Sequence, residues 1–105
     1  MQSQQPDFEY CVDISESHPA SNGHFVGHPL IPGVVILEYV RVALAELDAS
    51  LEMKRLSRVK FTTPLKPGDQ LRVRLTPRSG AAFRFVCLDS SSNSIASGDF
   101  SAERK

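Results

Sequence analysis

The sequence predicts an α+β domain in which an antiparallel sheet wraps around one long, apolar central helix. Three observations carry this. Residues 33–48, GVVILEYVRVALAELD, hold no proline, hold no glycine after the first position, and are apolar on nearly every face. That marks a helix meant to be covered rather than a surface helix. Residues 56–103 break into alternating segments separated by the turn signals KPG, RSG and SSSN. One more alternating run, FEYCVDI, precedes the helix.

Each element has its own local reason. FEYCVDI reads as the first strand because aromatic and β-branched residues alternate with polar ones. SESHPASNG is rich in turn formers and reads as a loop. Pro32 suits the first turn of a helix, where its missing N–H leaves no hydrogen bond unmade. Ser50 and its neighbours end that helix. Four strands follow: LSRVKFTTPL, DQLRVRLTP, AAFRFVCLDS and SIASGDFSAE. Pro64 is expected at a strand end or edge. There is no repeat, and the pattern reads as a single domain over residues 6–105.

The bulk composition bounds the function. A chain of 105 residues has a modest core. The helix also carries more apolar surface than one sheet face can cover, so a second copy alongside is expected. The formal net charge is zero, which gives no global pull toward nucleic acid or membrane. The charge is nevertheless uneven. Up to Met53 there are eight acidic residues and one basic residue, Arg41; after it there are eleven basic and four acidic. That points to an acidic partner for the second half. Cys11 and Cys87 lie in strand-like runs without a metal-ligand cluster, and are expected to be buried free thiols. The N-terminus is polar and the apolar run 30–40 is too short to span a bilayer. A soluble, cytoplasmic protein is the expectation.

The stretch GHFVGHPLIPGVVILE, together with RVKFTTPLKPGDQLRV farther on, resembles the motifs of the bacterial 3-hydroxyacyl-ACP dehydratases of the hot-dog fold. These are the FabZ/FabA-like enzymes, and the short length looks most like their compact ApeI-like members. The family pattern is Gly-His-Phe-Pro, a spacer, Pro, two residues, Pro-Gly-Val and an acid in the helix. Here Val26 replaces the proline after His-Phe, Tyr39 replaces a small residue, Val42 stands where Gln is common, and Arg41 is an added charge.

The resemblance implies a hydro-lyase that converts a 3-hydroxyacyl thioester into the trans-2-enoyl thioester in fatty acid or polyene-type lipid biosynthesis. It implies His24 as the base, Glu38 as the acid and Gly33 as the oxyanion donor at the helix N-terminus, with Phe25, Pro32 and Val34 around the substrate. It implies no cofactor, since the substrate brings its own phosphopantetheine arm. It implies acyl carrier protein as partner, and a homodimer or higher oligomer of dimers in which the His of one chain faces the acid of the other. The chemistry suits these types: His titrates near the working pH, and burial of a Glu among Val, Ile and Leu raises its pKa so that it can donate a proton.

Other readings of the same residues stand beside these. His24 could be a loop residue capping backbone groups. Glu38 could form an ordinary i,i+3 ion pair with Arg41, which would lower its pKa. His24 and His28 are four apart, but Gly27 and Pro29 argue against a helix there, and against a metal site. His18 reads as an exposed loop residue. Arg72 and Arg74 share one strand face, opposite Leu71, Val73 and Leu75, and Arg84 is expected to join them. That face is either a solvated surface or a dock for the acidic carrier. A hot-dog acyl thioesterase using the helix carboxylate to activate water, or a non-catalytic acyl-binding subunit, remain the alternative functions.

Overall fold

The computed structural model describes residues 7–15 and 31–105. Strand β1 (Phe8–Asp13) is followed in the chain by helix α1 (Gly33–Leu47), then β2 (Leu51–Phe61), β3 (Gln70–Pro77), β4 (Ala82–Leu88) and β5 (Ser94–Arg104). The five strands form one antiparallel sheet in the order β1-β3-β4-β5-β2, and α1 lies against one of its faces.

Side-chain alternation decides which face that is. Leu71, Val73 and Leu75 of β3 and Phe83, Phe85 and Cys87 of β4 all point inward and are buried. Ile95, Phe100 and Ala102 of β5 join them, and Phe83 stacks on Phe100 with centroids 5.2 Å apart. The helix answers with Ile36, Val40, Ala43 and Leu44, spaced three or four apart so that they form one stripe. Each large aliphatic side chain removed from water here contributes about 1.5–3 kcal/mol.

Left-handed backbone recurs in the turns, at Gly68, Gly80 and Ser92. Gly68, at φ 92°, turns the chain after KP, and its N–H donates to the Ile14 carbonyl at 2.7 Å. Glycine adopts this conformation without a Cβ penalty. Asp89, in the β4–β5 turn, accepts the backbone N–H groups of Asn93 and Ser91 and the Asn93 side chain. The hydrogen bonds from Asn93 hold its carboxyl below the usual carboxylate range.

Three sequence expectations are corrected. The first strand after the helix runs from Leu51 to Phe61, not over LSRVKFTTPL. Register shifts between Met53 and Arg55 and between Ser57 and Lys60, with Arg58 at φ 55°, break its alternation. Its apolar residues therefore fall at 51, 53, 56, 59 and 61, which hides the period of two. Second, the helix is buried on one face only: Val34 is 73% exposed, and Glu38 and Arg41 lie in solvent. Third, only Cys87 is a buried thiol, its pKa pushed up to about 12 by burial; Cys11 faces outward and is exposed. Both are free, and they sit on opposite faces of the sheet.

Candidate active site

The helix begins without a side-chain cap. Pro32 occupies the N-cap with φ −63° and ψ 152°, one position before the first turn, and offers its carbonyl to the N–H groups of Val35 and Ile36. The N–H groups of Gly33 and Val34 have no acceptor among the described residues. Helix geometry leaves the first N–H groups unpaired, and the aligned peptide dipoles make this end partly positive.

A groove of about 490 Å³ opens at this end, lined among the described residues by Ile31, Gly33, Ile36, Phe61, Thr62, Thr63, Pro64 and Leu65. Its floor is held by two ties. The Ile31 N–H donates to the Leu65 carbonyl at 2.9 Å, joining the helix entrance to the segment after β2. Thr62 bonds through its N–H to the Ile95 carbonyl and through its hydroxyl to the Ser94 carbonyl, at 2.9 and 2.8 Å. The ring of Phe61 lies over Gly33: a Cβ there would meet Phe61 Cζ at 2.8 Å. A side chain at position 33 would have to push this half-exposed ring aside, and glycine lets the two lie close.

Glu38 does not line this groove. It lies on the solvent side of α1, where Arg41 Nε donates to its Oε2 at 3.0 Å and Arg41 Nη2 makes a further short contact. The hydrogen bond from Arg41 holds the Glu38 carboxyl below its ordinary value, and the nearby positive charge adds to this. This corrects the expectation of a raised pKa within the single chain. Apolar neighbours in sequence are not apolar surroundings in space: Ile36, two residues away, points to the opposite side of the helix. His24 and Phe25 of the expected site lie outside the described residues, as do His18 and His28. Gly33 lines the groove; Pro32 caps the helix beside it, and Val34 faces solvent.

Arg72, Arg74 and Arg84 do share the outer face of the sheet. Two of them have partners there. Arg72 lies 3.6 Å from Glu9 and donates to the Asp89 carbonyl and the Ser92 hydroxyl; Arg84 lies 3.5 Å from Asp99. Arg74 has no ion pair among the described residues. Phe61 and the wall formed by residues 62–65 escaped the sequence reading. Their one available signal was Pro64, which marked where the strand must end. Among the described residues no cluster of three or more His, Cys, Asp or Glu could hold a metal, and no helix is long and apolar enough to cross a membrane.

Residues 1–99 match the ApeI-like family, ApeI dehydratase. The 3-hydroxyacyl-[acyl-carrier-protein] dehydratase FabZ of Aliarcobacter butzleri is 42% identical over 77 residues, covering 61% of this chain and 52% of that protein. FabZ of Myxococcus xanthus is 33% identical over 103 residues, covering 86% of this chain and 67% of that protein. The chain thus spans between half and two thirds of the length of these curated relatives. In three dimensions it superposes on the dehydratase heterocomplex ApeI:P from Xenorhabdus doucetiae with a TM-score of 0.80 at 23% identity, over 99% of this chain and 93% of that one. The fold is the hot-dog fold: an antiparallel sheet with a single helix packed on it.

Proposed function

The chain belongs to the ApeI-like dehydratase family, and from that premise we propose that it removes water from a 3-hydroxyacyl thioester carried on acyl carrier protein, leaving the trans-2-enoyl thioester. The observation that carries the reading is the apolar groove that Gly33 lines, at a helix N-terminus whose first N–H groups have no acceptor among the described residues. As the C2 proton leaves, negative charge grows on the thioester oxygen. Backbone donors at a helix N-terminus stabilise charge there without having to reorganise. His24 takes the C2 proton. Glu38 gives a proton to the C3 hydroxyl, which departs as water. The phosphopantetheine arm comes with the substrate, so no cofactor is needed. An acidic carrier would meet Arg74 on the outer face, and the reaction would belong to fatty acid or polyene-type lipid synthesis in the cytoplasm.

In one chain Glu38 is an exposed carboxylate, whereas a general acid must be protonated. The reading therefore needs a second subunit. Among the described residues strand β2 is a sheet edge bonded to β5 alone, and it carries exposed Leu56. Pairing along such an edge would bring a second hot-dog chain against the uncovered side of α1. Covering Glu38 there, with Arg41 drawn to another acceptor, would raise its pKa.

The Arg41 pair favours one other reading, a thioesterase in which the ionised Glu38 activates water. The two reactions differ in product. Dehydration builds 2-enoyl absorbance and leaves the thioester intact, whereas hydrolysis releases a free thiol. Incubating the protein with 3-hydroxyacyl-pantetheine and reading both signals separates them. Thiol release without enoyl product overturns the dehydratase reading.

A further inference from the structure

We propose that Phe61 is the specificity-determining residue of the groove, selecting substrates by the bulk of the acyl group at C4 rather than by chain length. This rests on the reading of Gly33 as the thioester-oxygen donor.

The groove has one fixed wall and one adjustable wall. Ile31, Ile36 and Leu65 are buried and packed in the core, so they cannot yield without repacking it. Phe61 is 51% exposed. The residue after it is pinned to β5 through Thr62, so the backbone is anchored there while the ring keeps a solvent side to turn toward. Among the described residues its ring takes no part in the aromatic contacts, which stack Phe83 on Phe100 and tilt Phe85 against the same ring.

Position then decides what the ring reads. Three ring carbons lie 2.8, 3.0 and 3.2 Å from where a Cβ on Gly33 would stand. An acyl thioester whose oxygen is held at the Gly33 N–H therefore places its first few carbons against this ring. The distal chain runs on past it. A straight chain can slide along a flat aromatic face, while a branch at C4 meets its edge. Pockets of this kind discriminate a methyl or two by roughly 10–200-fold.

The experiment compares pantetheine thioesters of three acyl groups: 2-hexenoyl, 2-decenoyl and 4,4-dimethyl-2-pentenoyl. Binding is measured by calorimetry and hydration by loss of enoyl absorbance, on wild type, Phe61→Ala and Phe61→Leu. Phe61→Ala is expected to raise affinity and kcat/KM for the branched group relative to hexenoyl by about tenfold, with Phe61→Leu between. The decenoyl-to-hexenoyl ratio should stay within about twofold, since the distal chain lies beyond the ring. A branched-to-straight ratio that does not move, or a change confined to chain length, overturns the proposal. If the wild type binds these ligands but turns none over, the dehydratase reading fails alone, and the binding ratios still decide Phe61. Phe61→Leu keeps an apolar side chain of similar reach, so it supplies the comparison should Phe61→Ala fold poorly.

Discussion

Glu38 and Arg41, one turn apart on α1, are joined by an ion pair on the side of the helix that the sheet leaves uncovered. The pair sits where a second subunit would have to pack, and it sets the charge state from which any acid role must start.

Arg41→Ala should move the Glu38 titration midpoint back up toward the ordinary glutamate value, read by carbon NMR of the side-chain carboxyl. The sign follows from the lowered folded-state pKa. The pair stabilises the fold above the unfolded-state pKa, and that contribution is lost as pH falls through the folded-state pKa. The variant should therefore be slightly less stable than wild type at neutral pH and equal to it in acid. Exposure keeps the effect small. A midpoint unchanged by the substitution would show that the pair is absent from the assembled protein, as when a second subunit draws Arg41 away.

Glu38→Gln should lower turnover by roughly 10²-fold or more, the usual weight of a general acid, while Arg41→Ala keeps most of it. If Arg41→Ala is as damaging as Glu38→Gln, the two act as one unit and the acid assignment is wrong.

Mixing tests the shared site. Inactive His24→Ala and inactive Glu38→Ala chains, refolded together, make mixed dimers in which one site carries both lesions and the other neither. Recovery of activity toward about half the wild-type value per mixed dimer is expected, by simple site counting. If mixed dimers form and stay inactive, each site is built within one chain.

Gly33→Ala should force the Phe61 ring aside, because the new methyl would stand 2.8 Å from Cζ. Overpacking a close-packed core costs typically about 1–3 kcal/mol; the Phe61 ring is half exposed and can turn, so the cost should fall at or below the low end of that range. The same change made in a Phe61→Ala background should cost little, and a double-mutant cycle in urea unfolding measures the coupling. Additive effects would show that the two residues do not touch.

Cys11 should react with a thiol reagent in the native protein, and Cys87 only after unfolding. Exposure and the raised Cys87 pKa give the order. One rapidly titrated thiol per chain in buffer and two in denaturant is the expected count. Two fast thiols without denaturant would contradict the packing of β4.

Much of the fold was legible because it follows from local pattern. In β3 and β4 the alternation from Leu71 to Leu75 and from Phe83 to Cys87 forces one face inward, and KPG and RSG mark the turns between strands. The same alternation puts Arg72 and Arg74 on the opposite surface, with Arg84 of the neighbouring strand beside them. Strand β2 resisted because two bulges spread its inward residues to uneven spacing, and a bulge is set by the pairing with β5 rather than by β2 alone.

By itself the sequence determined the long helix, the alternating strands and the motif that marks the family, because period, turn chemistry and residue spacing are properties of the chain. Tertiary structure alone decided three things. It turned Glu38 away from the sheet and into the grasp of Arg41, since helix rotation relative to a sheet depends on which stripe packs best. It tied Arg72 and Arg84 to acids on neighbouring strands, since pairing register sets those distances. And it laid Phe61 over Gly33, residues 28 positions apart in the chain, because the end of β2 and the start of α1 meet only when both pack on the same core.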